Sequence, residues 1–249
     1  MTTRTWEPLP PCSDCMDITE QLNRRMPQLY QSMSEDYGVV ASTPDQNPET
    51  TTVDGYAWTS TVAGTSWADI RTGVGTGADD TGVTIQTQIR CDGNVDKWDL
   101  CKRAIMGFDL SAIPSSATIM SVSLELSGKA TAPVDDFGAA ALVLLQATVL
   151  SDTAVTLNDF DLFGSTELAQ RITAKVWRGL GGNTFYFNED GIAFAQIYVG
   201  SPMFVGTKIS YDFDDDEPAW VATDEARFDV ASSEDTNYSP PTLVVMYRE

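Results

Sequence analysis

The segment from Ile119 to Leu126 constrains the fold more than any other part of the chain, because its side chains alternate in polarity. Apolar residues at Val122, Leu124 and Leu126 are separated by serine and glutamate. Successive side chains of a β-strand point to opposite faces, so one face of this segment is apolar and the other is polar. The pattern predicts a strand of an antiparallel sheet with one buried face and one solvated face.

Other short runs rich in Val, Ile, Thr and aromatic residues follow one another after residue 53, separated by Gly, Asp, Asn and Pro. This spacing predicts an all-β fold, a jelly-roll-like antiparallel β-sandwich with a short helical N-terminal extension. A short helix is predicted at residues 165–171, where Ser and Thr precede Glu167 in the first turn. The predicted strands are 82–89, 104–108, 118–126, 139–150, 184–187, 208–211 and 242–247.

Residues 1–45 form a separate predicted segment, in which apolar side chains recur at the spacing of one helix face. Pro27 interrupts this stripe, so the segment is either a kinked helix or two short helices. The stripe either packs on the sandwich of its own chain or serves attachment to a partner and homo-oligomer formation. Residues 46–52, rich in Thr and Pro, predict a linker, and residues 53–249 the sandwich. The stripe consists of Ile18, Leu22, Met26, Leu29 and Met33.

The charge balance excludes several functions. Lys and Arg number 15 against 36 Asp and Glu, a net charge of −21. A chain this acidic has no basic face for nucleic acid or for anionic lipid. It contains no histidine, which removes Ser-His-Asp catalysis and imidazole metal sites. We therefore expect no enzyme, no nucleic-acid partner and no membrane partner.

The N-terminus lacks the apolar core of a secretory signal, and no apolar run is long enough to span a bilayer. The expected place of synthesis is the cytoplasm. Cys12 and Cys15 have the CxxC spacing, but their proline-rich setting is not that of a redox site. A four-cysteine zinc site, local disulfides and free thiols are the alternatives, with Cys91 and Cys101 as one candidate disulfide.

Two groups of residues are candidates for ligand binding. Asp212, Asp214 and Asp216 belong to a run of carboxylates that either binds Ca²⁺ or forms a solvated loop. Tyr56, Trp58 and Trp67 are candidates for stacking on the sugar rings of a glycan, because Trp58 and Trp67 lie in sequence rich in Gly, Ser and Thr. The alternative is that these aromatic side chains belong to the core.

Two motifs, which occur along the chain in the same order as in a known family, carry a resemblance to that family. Gly107-Phe-Asp-Leu-Ser-Ala-Ile-Pro114 is followed by Ala117-Thr-Ile-Met-Ser-Val-Ser-Leu-Glu-Leu126, and Pro240-Pro-Thr-Leu-Val-Val-Met-Tyr247 closes the chain. Together with the run Val230-Ala-Ser-Ser-Glu-Asp235, these segments resemble the DNRLRE-type jelly-roll domain over residues 53–249. The string that names the family is absent.

The resemblance implies a place outside the cell, since such domains occur in bacterial surface proteins and in bacteriophage virions. The first hypothesis is a structural or accessory subunit of a phage virion: a decoration, head-fibre or tail-appendage protein. It would be displayed on the virion surface and would bind other capsid or tail proteins through its N-terminal segment. The alternative is a glycan-binding module of a bacterial surface or secreted protein, whose ligand would be a host-surface glycan. No cofactor is expected, apart from the Ca²⁺ that Asp212, Asp214 and Asp216 would bind if they form a metal site.

Overall fold

The computed structural model describes residues 37–249, which fold into an all-β sandwich of antiparallel sheets. The predicted fold class is thereby confirmed. The helical N-terminal extension and its apolar stripe lie outside the described residues, as do Cys12 and Cys15. Within residues 37–249, no helix combines the length and the apolar character needed to cross a membrane.

Fourteen strands and four short helical segments make up this part of the chain. The strands are β1 (Tyr37–Ser42), β2 (Asp54–Thr65), β3 (Gly77–Asp79), β4 (Thr84–Cys91), β5 (Trp98–Asp109), β6 (Thr118–Ser127), β7 (Val134–Asp135), β8 (Ala141–Ala147), β9 (Phe163–Glu167), β10 (Ile172–Thr173), β11 (Gly182–Tyr186), β12 (Pro202–Ile209), β13 (Glu225–Ala231) and β14 (Thr242–Arg248). The helices are α1 (Trp67–Ile70), a 3₁₀ helix (Leu157–Asp161), α2 (Glu189–Ile197) and α3 (Ser210–Asp214).

The strands form two sheets. The smaller sheet has the order β1-β14-β6-β11, and the larger has the path β10-β8-β12-β5-β4-β13-β7. Three further strands join the larger sheet: β2 pairs with β5, β3 with β2, and β9 with β8. The first and last strands of the described chain, β1 and β14, are therefore neighbours in the smaller sheet.

Strand β6 shows how the alternating sequence builds the core. Val122, Leu124 and Leu126 are buried, and Leu124 lies opposite Leu243 of β14 and Phe185 of β11. Burying each such side chain contributes about 1.5–3 kcal/mol, so this apolar face fixes the register of the central strand. The predicted alternation and the predicted strand 118–126 are confirmed.

The motif at residues 107–114 contributes side chains to the core and holds the turn after β5. Phe108, Leu110 and Ile113 are buried in the core. Asp109 accepts a hydrogen bond from the backbone N–H of Ser111 at 2.8 Å, which holds the turn after β5.

The sandwich begins earlier than the sequence predicted. Strand β1 lies inside the predicted N-terminal segment, at the edge of the smaller sheet. Gly38 is required there, because a Cβ at this position would overlap the ring of Tyr247. The predicted linker and Asp45 directly before it are also bound to the domain: Gln46 Nε2 donates to the carbonyl of Ser233 at 2.7 Å, and Ser233 Oγ donates to the carbonyl of Asp45 at 2.8 Å.

The helix predicted at residues 165–171 is wrong, because strand β9 occupies the first part of this segment. Ser, Thr and Glu suit a helix start and an edge strand alike, so the local sequence does not decide between the two. Its backbone pairs instead with β8, where Glu167 lies opposite Leu145 and Phe163 opposite Ala147.

Candidate functional site

Arginine side chains pair with three carboxylates of the acidic stretch near residue 212, those of Asp212, Asp214 and Asp215. Asp212 is buried and lies 2.7 Å from Nε of Arg103 and 3.1 Å from Nε of Arg71. Asp214 pairs with Arg171, whose Nη2 lies 2.7 Å from Asp214 Oδ1. Burial alone would raise the pKa of Asp212, but the charge and hydrogen bonds of Arg103 hold this pKa below its usual value.

The calcium hypothesis for Asp212, Asp214 and Asp216 is not supported by this arrangement. The carboxylates of Asp212 and Asp214 face different arginines, and the side chain of Asp216 belongs to an exposed residue. Among residues 37–249, no group of three or more Cys, Asp or Glu side chains is arranged to hold a metal ion. The carboxylates of Asp212 and Asp214 are instead engaged in ion pairs with Arg103 and Arg171.

Cys91 and Cys101 are free thiols in the structure, and both are buried. In the β4–β5 pairing, Cys91 lies opposite Trp98, and Cys101 lies opposite Ile89. Burial raises the pKa of Cys91 to about 11 and that of Cys101 to about 12, so both remain protonated at neutral pH. Between a Cys91–Cys101 disulfide and free thiols, the structure has the free thiols.

The aromatic residues predicted to bind a glycan separate into two places. Tyr56 and Trp58 lie together on β2, with ring centroids 5.4 Å apart. Nζ of Lys102 lies 4.7 Å from the ring centroid of Tyr56 and 6.0 Å from that of Trp58. The Trp58 ring also lies on Gly77, where a Cβ would overlap it. Trp58 is half-buried, and Gly77, Tyr56 and Lys102 all lie beside its ring.

Trp67 lies away from this pair and is part of the core. Its ring centroid is 4.6 Å from that of Trp98, and the guanidinium of Arg71 lies 4.9 Å from the Trp67 ring. The row of aromatic side chains continues from Trp98 to Phe137 and Tyr211. The indole N–H of Trp67 is buried and has no hydrogen-bond acceptor among the described residues.

A cleft opens above this aromatic row, with a volume of about 540 Å³. We call it the Trp220 cleft. Trp220 is half-buried, and its Nε1 donates to the carbonyl of Lys97 at 3.0 Å, which fixes the indole. Glu217 accepts a hydrogen bond from Nε1 of Trp98 at 2.8 Å. The cleft is lined by Ser66, Trp67, Asp96, Glu217, Pro218 and Trp220.

A second concavity of about 370 Å³ adjoins the first and shares Glu217 and Pro218 with it. It adds the aromatic side chains of Phe137 and Tyr211. The two concavities contain no Lys or Arg side chain but five carboxylates, those of Asp96, Asp136, Asp216, Glu217 and Asp224. Aromatic surface with a few polar groups is the usual make-up of a small-ligand site.

The sequence favoured Trp67 over Trp220 as a glycan-binding residue, and it did not place Asp96 and Glu217 beside either of them. Their positions follow from folding, because the loop after α3 returns to the β4–β5 turn. One local signal is present: Pro218 and Trp220 directly follow the acidic run and lie outside every predicted strand.

No model of a known protein family matches the chain, and no curated protein sequence matches it. The resemblance to the DNRLRE-type jelly-roll domain thus remains a prediction that rests on the quoted motifs.

Proposed function

We propose that this protein is a structural or accessory subunit of a bacteriophage virion, either a decoration, a head-fibre or a tail-appendage protein. It displays the β-sandwich on the virion surface and is attached to capsid or tail proteins through its N-terminal segment. The observation that carries the proposal is the position of β1. In the chain, the segment with the apolar stripe comes directly before β1, an edge strand of the smaller sheet, so attachment through this segment would tether the sandwich at that strand.

The distribution of charge supports display on a crowded particle. Several of the few basic side chains are engaged in ion pairs within the sandwich, including Arg71, Arg90, Arg103 and Arg171. The excess of carboxylates over basic groups therefore dominates the exterior. Like charge on neighbouring subunits favours solubility and opposes unspecific association.

The first test compares the full chain with residues 37–249, because a cut before β1 leaves the described sandwich intact. We expect light scattering to give a trimer or another closed ring for the full chain and a monomer for the truncated chain. Replacing Leu22 and Leu29 by Asp in the full chain should have the same effect as the truncation. A monomeric full chain would contradict self-association through the stripe.

The second test addresses the virion directly. Peptides of this chain should appear by mass spectrometry in purified phage particles from the source culture. Full-length protein added to particles should sediment with them, whereas residues 37–249 should stay in the supernatant. Detection of the chain only in the particle-free fraction would overturn the proposal.

A glycan-binding module is the second candidate function, and the Trp220 cleft favours it. The cleft combines a half-buried indole with carboxylates that accept hydrogen bonds, and such a site recognises hydroxyl-rich ligands. This candidate is compatible with the first, since a displayed subunit can hold a particle on a surface polysaccharide.

A further inference from the structure

We infer that the outer face of the smaller sheet binds the apolar stripe of a neighbouring copy of this chain. The outer face is the side of β1, β14, β6 and β11 that points away from the larger sheet. The inference rests on the proposed function, in which the N-terminal segment attaches the protein, and it names the surface that receives this segment.

The first argument is the apolar character of the outer face. Val39 and Tyr186, on the two edge strands, are 65% and 75% exposed. Between these edges, Ser123 of β6 lies opposite both Tyr186 and Val244, so the face continues across the strands. An exposed apolar patch on a folded domain marks an interaction surface. The exposed large apolar side chains of this face are Val39, Met120, Tyr186 and Met246.

The second argument is the scarcity of charge on the smaller sheet. Its four strands contain only two charged residues, Glu125 and Arg248, although 20% of the residues in the chain are charged. The larger sheet differs, because Arg227 of β13 pairs with Glu225 and Asp229 on its exposed side. Charged side chains are depleted at the core of protein interfaces. The outer face therefore has the composition of an interface on an otherwise highly charged domain.

The third argument identifies the stripe as the binding partner. The stripe, Ile18 to Met33, precedes the described residues, and only residues 34–36 separate it from β1. A connection of three residues spans about 10 Å at most, and β1 is an edge strand of the smaller sheet. Where two copies meet at this edge, the stripe of one is therefore within reach of the outer face of the other.

Charge favours the same pairing. Residues 18–33 contain Arg24 and Arg25 against a single acid, Glu20, so this part of the chain is basic. The chain as a whole carries a net charge of −21, so the remainder is strongly acidic. Opposite net charges on two surfaces speed their encounter and favour their association.

The sizes of the stripe and the outer face also match. A helix over residues 18–33 would be about 24 Å long and about 10 Å wide. Strand β6 has ten residues, which corresponds to about 33 Å, and the outermost of four strands lie about 14 Å apart. One helix, or two short helices that meet at Pro27, would therefore cover the centre of the outer face.

The geometry of assembly favours the stripe of a neighbour. The stripe and the outer face are different surfaces, so each copy would donate one and accept the other. Such a heterologous contact, repeated from copy to copy, closes into a ring, which is the assembly that the proposed function expects. A seam between stripes alone would be interrupted by Pro27. Packing of the stripe on its own chain would leave no stripe for attachment.

The experiment uses the full chain in three double variants. The face variant is Val39→Glu with Met246→Glu, and the stripe variant is Leu22→Asp with Leu29→Asp. The control variant, Val62→Glu with Val176→Glu, adds the same charge at exposed valines outside the smaller sheet. We expect light scattering to give the ring for wild type and control and the mass of one chain for the other two. Thermal melting checks that every variant is folded.

Mixing the face variant with the stripe variant gives the second readout. The face variant keeps its stripe, and the stripe variant keeps its outer face, so one contact between the two can still form. We expect sedimentation velocity to show a one-to-one heterodimer in the mixture and only monomers for each variant alone.

Four results would contradict the inference. A face variant that still forms the ring, while the stripe variant does not, would overturn the outer face as the acceptor but keep self-association through the stripe. A mixture that stays monomeric would overturn binding between copies. A monomeric wild type would overturn both the inference and self-association. A monomeric wild type that sediments with phage particles, when the face variant does not, would assign the outer face to another virion protein.

Discussion

Arg103 shows at the scale of one residue how an acidic protein stabilises a buried charge. All five of its N–H groups are used: Asp212 accepts two of them, and the remaining three go to Asp161 and to the carbonyls of Phe160 and Arg71. Removing the guanidinium leaves the carboxylate of Asp212 buried beside a weaker partner. We expect Arg103→Met to lower the free energy of unfolding by about 3–5 kcal/mol, measured by urea denaturation.

Two further variants separate the effect of an unpaired buried charge from the effect of lost packing. The double variant Arg103→Met with Asp212→Leu should recover much of the loss, because it removes both charges from the interior. Arg90→Met breaks the more exposed pair with Asp99 and should cost less than about 1 kcal/mol. If the double variant is no more stable than the single one, the loss comes from packing and not from an unpaired carboxylate.

Asp54 should stabilise the fold at low pH, whereas an ordinary ion-paired carboxylate stabilises it at high pH. It is buried and accepts hydrogen bonds from Ser233 N and Oγ at 2.9 and 2.8 Å. Desolvation, together with the charges of Glu234 and Glu49, raises the pKa of Asp54 to about 7, against 3.8 for an ordinary carboxyl. Between these values the folded chain binds a proton that the unfolded chain does not, so the contribution of Asp54 is present at low pH and is lost as pH rises towards 7.

The measurement for Asp54 is the difference in unfolding free energy between wild type and Asp54→Asn from pH 2.5 to pH 8. We expect wild type to lose stability relative to the variant as pH rises, by up to about 4 kcal/mol. Asp45→Asn is the control with the opposite sign. Desolvation would raise the pKa of Asp45, but hydrogen bonds from Thr50, Thr51 and Thr52 lower it, so its contribution is lost as pH falls below about 4. A pH-independent difference for Asp54→Asn would show that its carboxyl is not desolvated in solution.

At the scale of elements, the sequence predicted what local periodicity determines and failed where distant segments decide. Strand β6 was predicted correctly because apolar and polar side chains alternate over eight residues, and this pattern indicates a strand with one buried face. Strand β9 was taken for a helix because Ser, Thr and Glu serve equally at a helix start and in an edge strand, and only the pairing with β8 decides. Helix α2 was missed, although Asn188 caps it and Glu189 and Asp190 fill its first turn.

The same distinction between local patterns and distant contacts explains why the sequence did not predict the candidate site. The acidic run suggested calcium because the sequence could not show that Arg103, more than a hundred residues earlier, neutralises Asp212. Trp58 and Trp67 were selected by composition, which does not tell whether a ring is covered. The Trp220 cleft joins residues from α1, the β4–β5 turn and the loop after α3, so no local pattern in the sequence could predict it.

At the scale of the whole molecule, the net charge of −21 predicts how salt affects stability. Repulsion among the excess carboxylates destabilises the compact state, and salt screens it: the Debye length falls from about 30 Å at 0.01 M to about 8 Å at 0.15 M. Ion pairs such as Arg90–Asp99 are also weakened, but carboxylates outnumber basic groups by more than two to one.

We expect the Tm at pH 8 to rise between 0.01 and 0.15 M NaCl, by about 2–4 °C for each kcal/mol of repulsion that is screened. Near pH 4.1, the isoelectric point, the same addition of salt should leave the Tm almost unchanged. A Tm that falls with salt at pH 8 would mean that the paired charges, and not the excess ones, dominate the electrostatics of the fold.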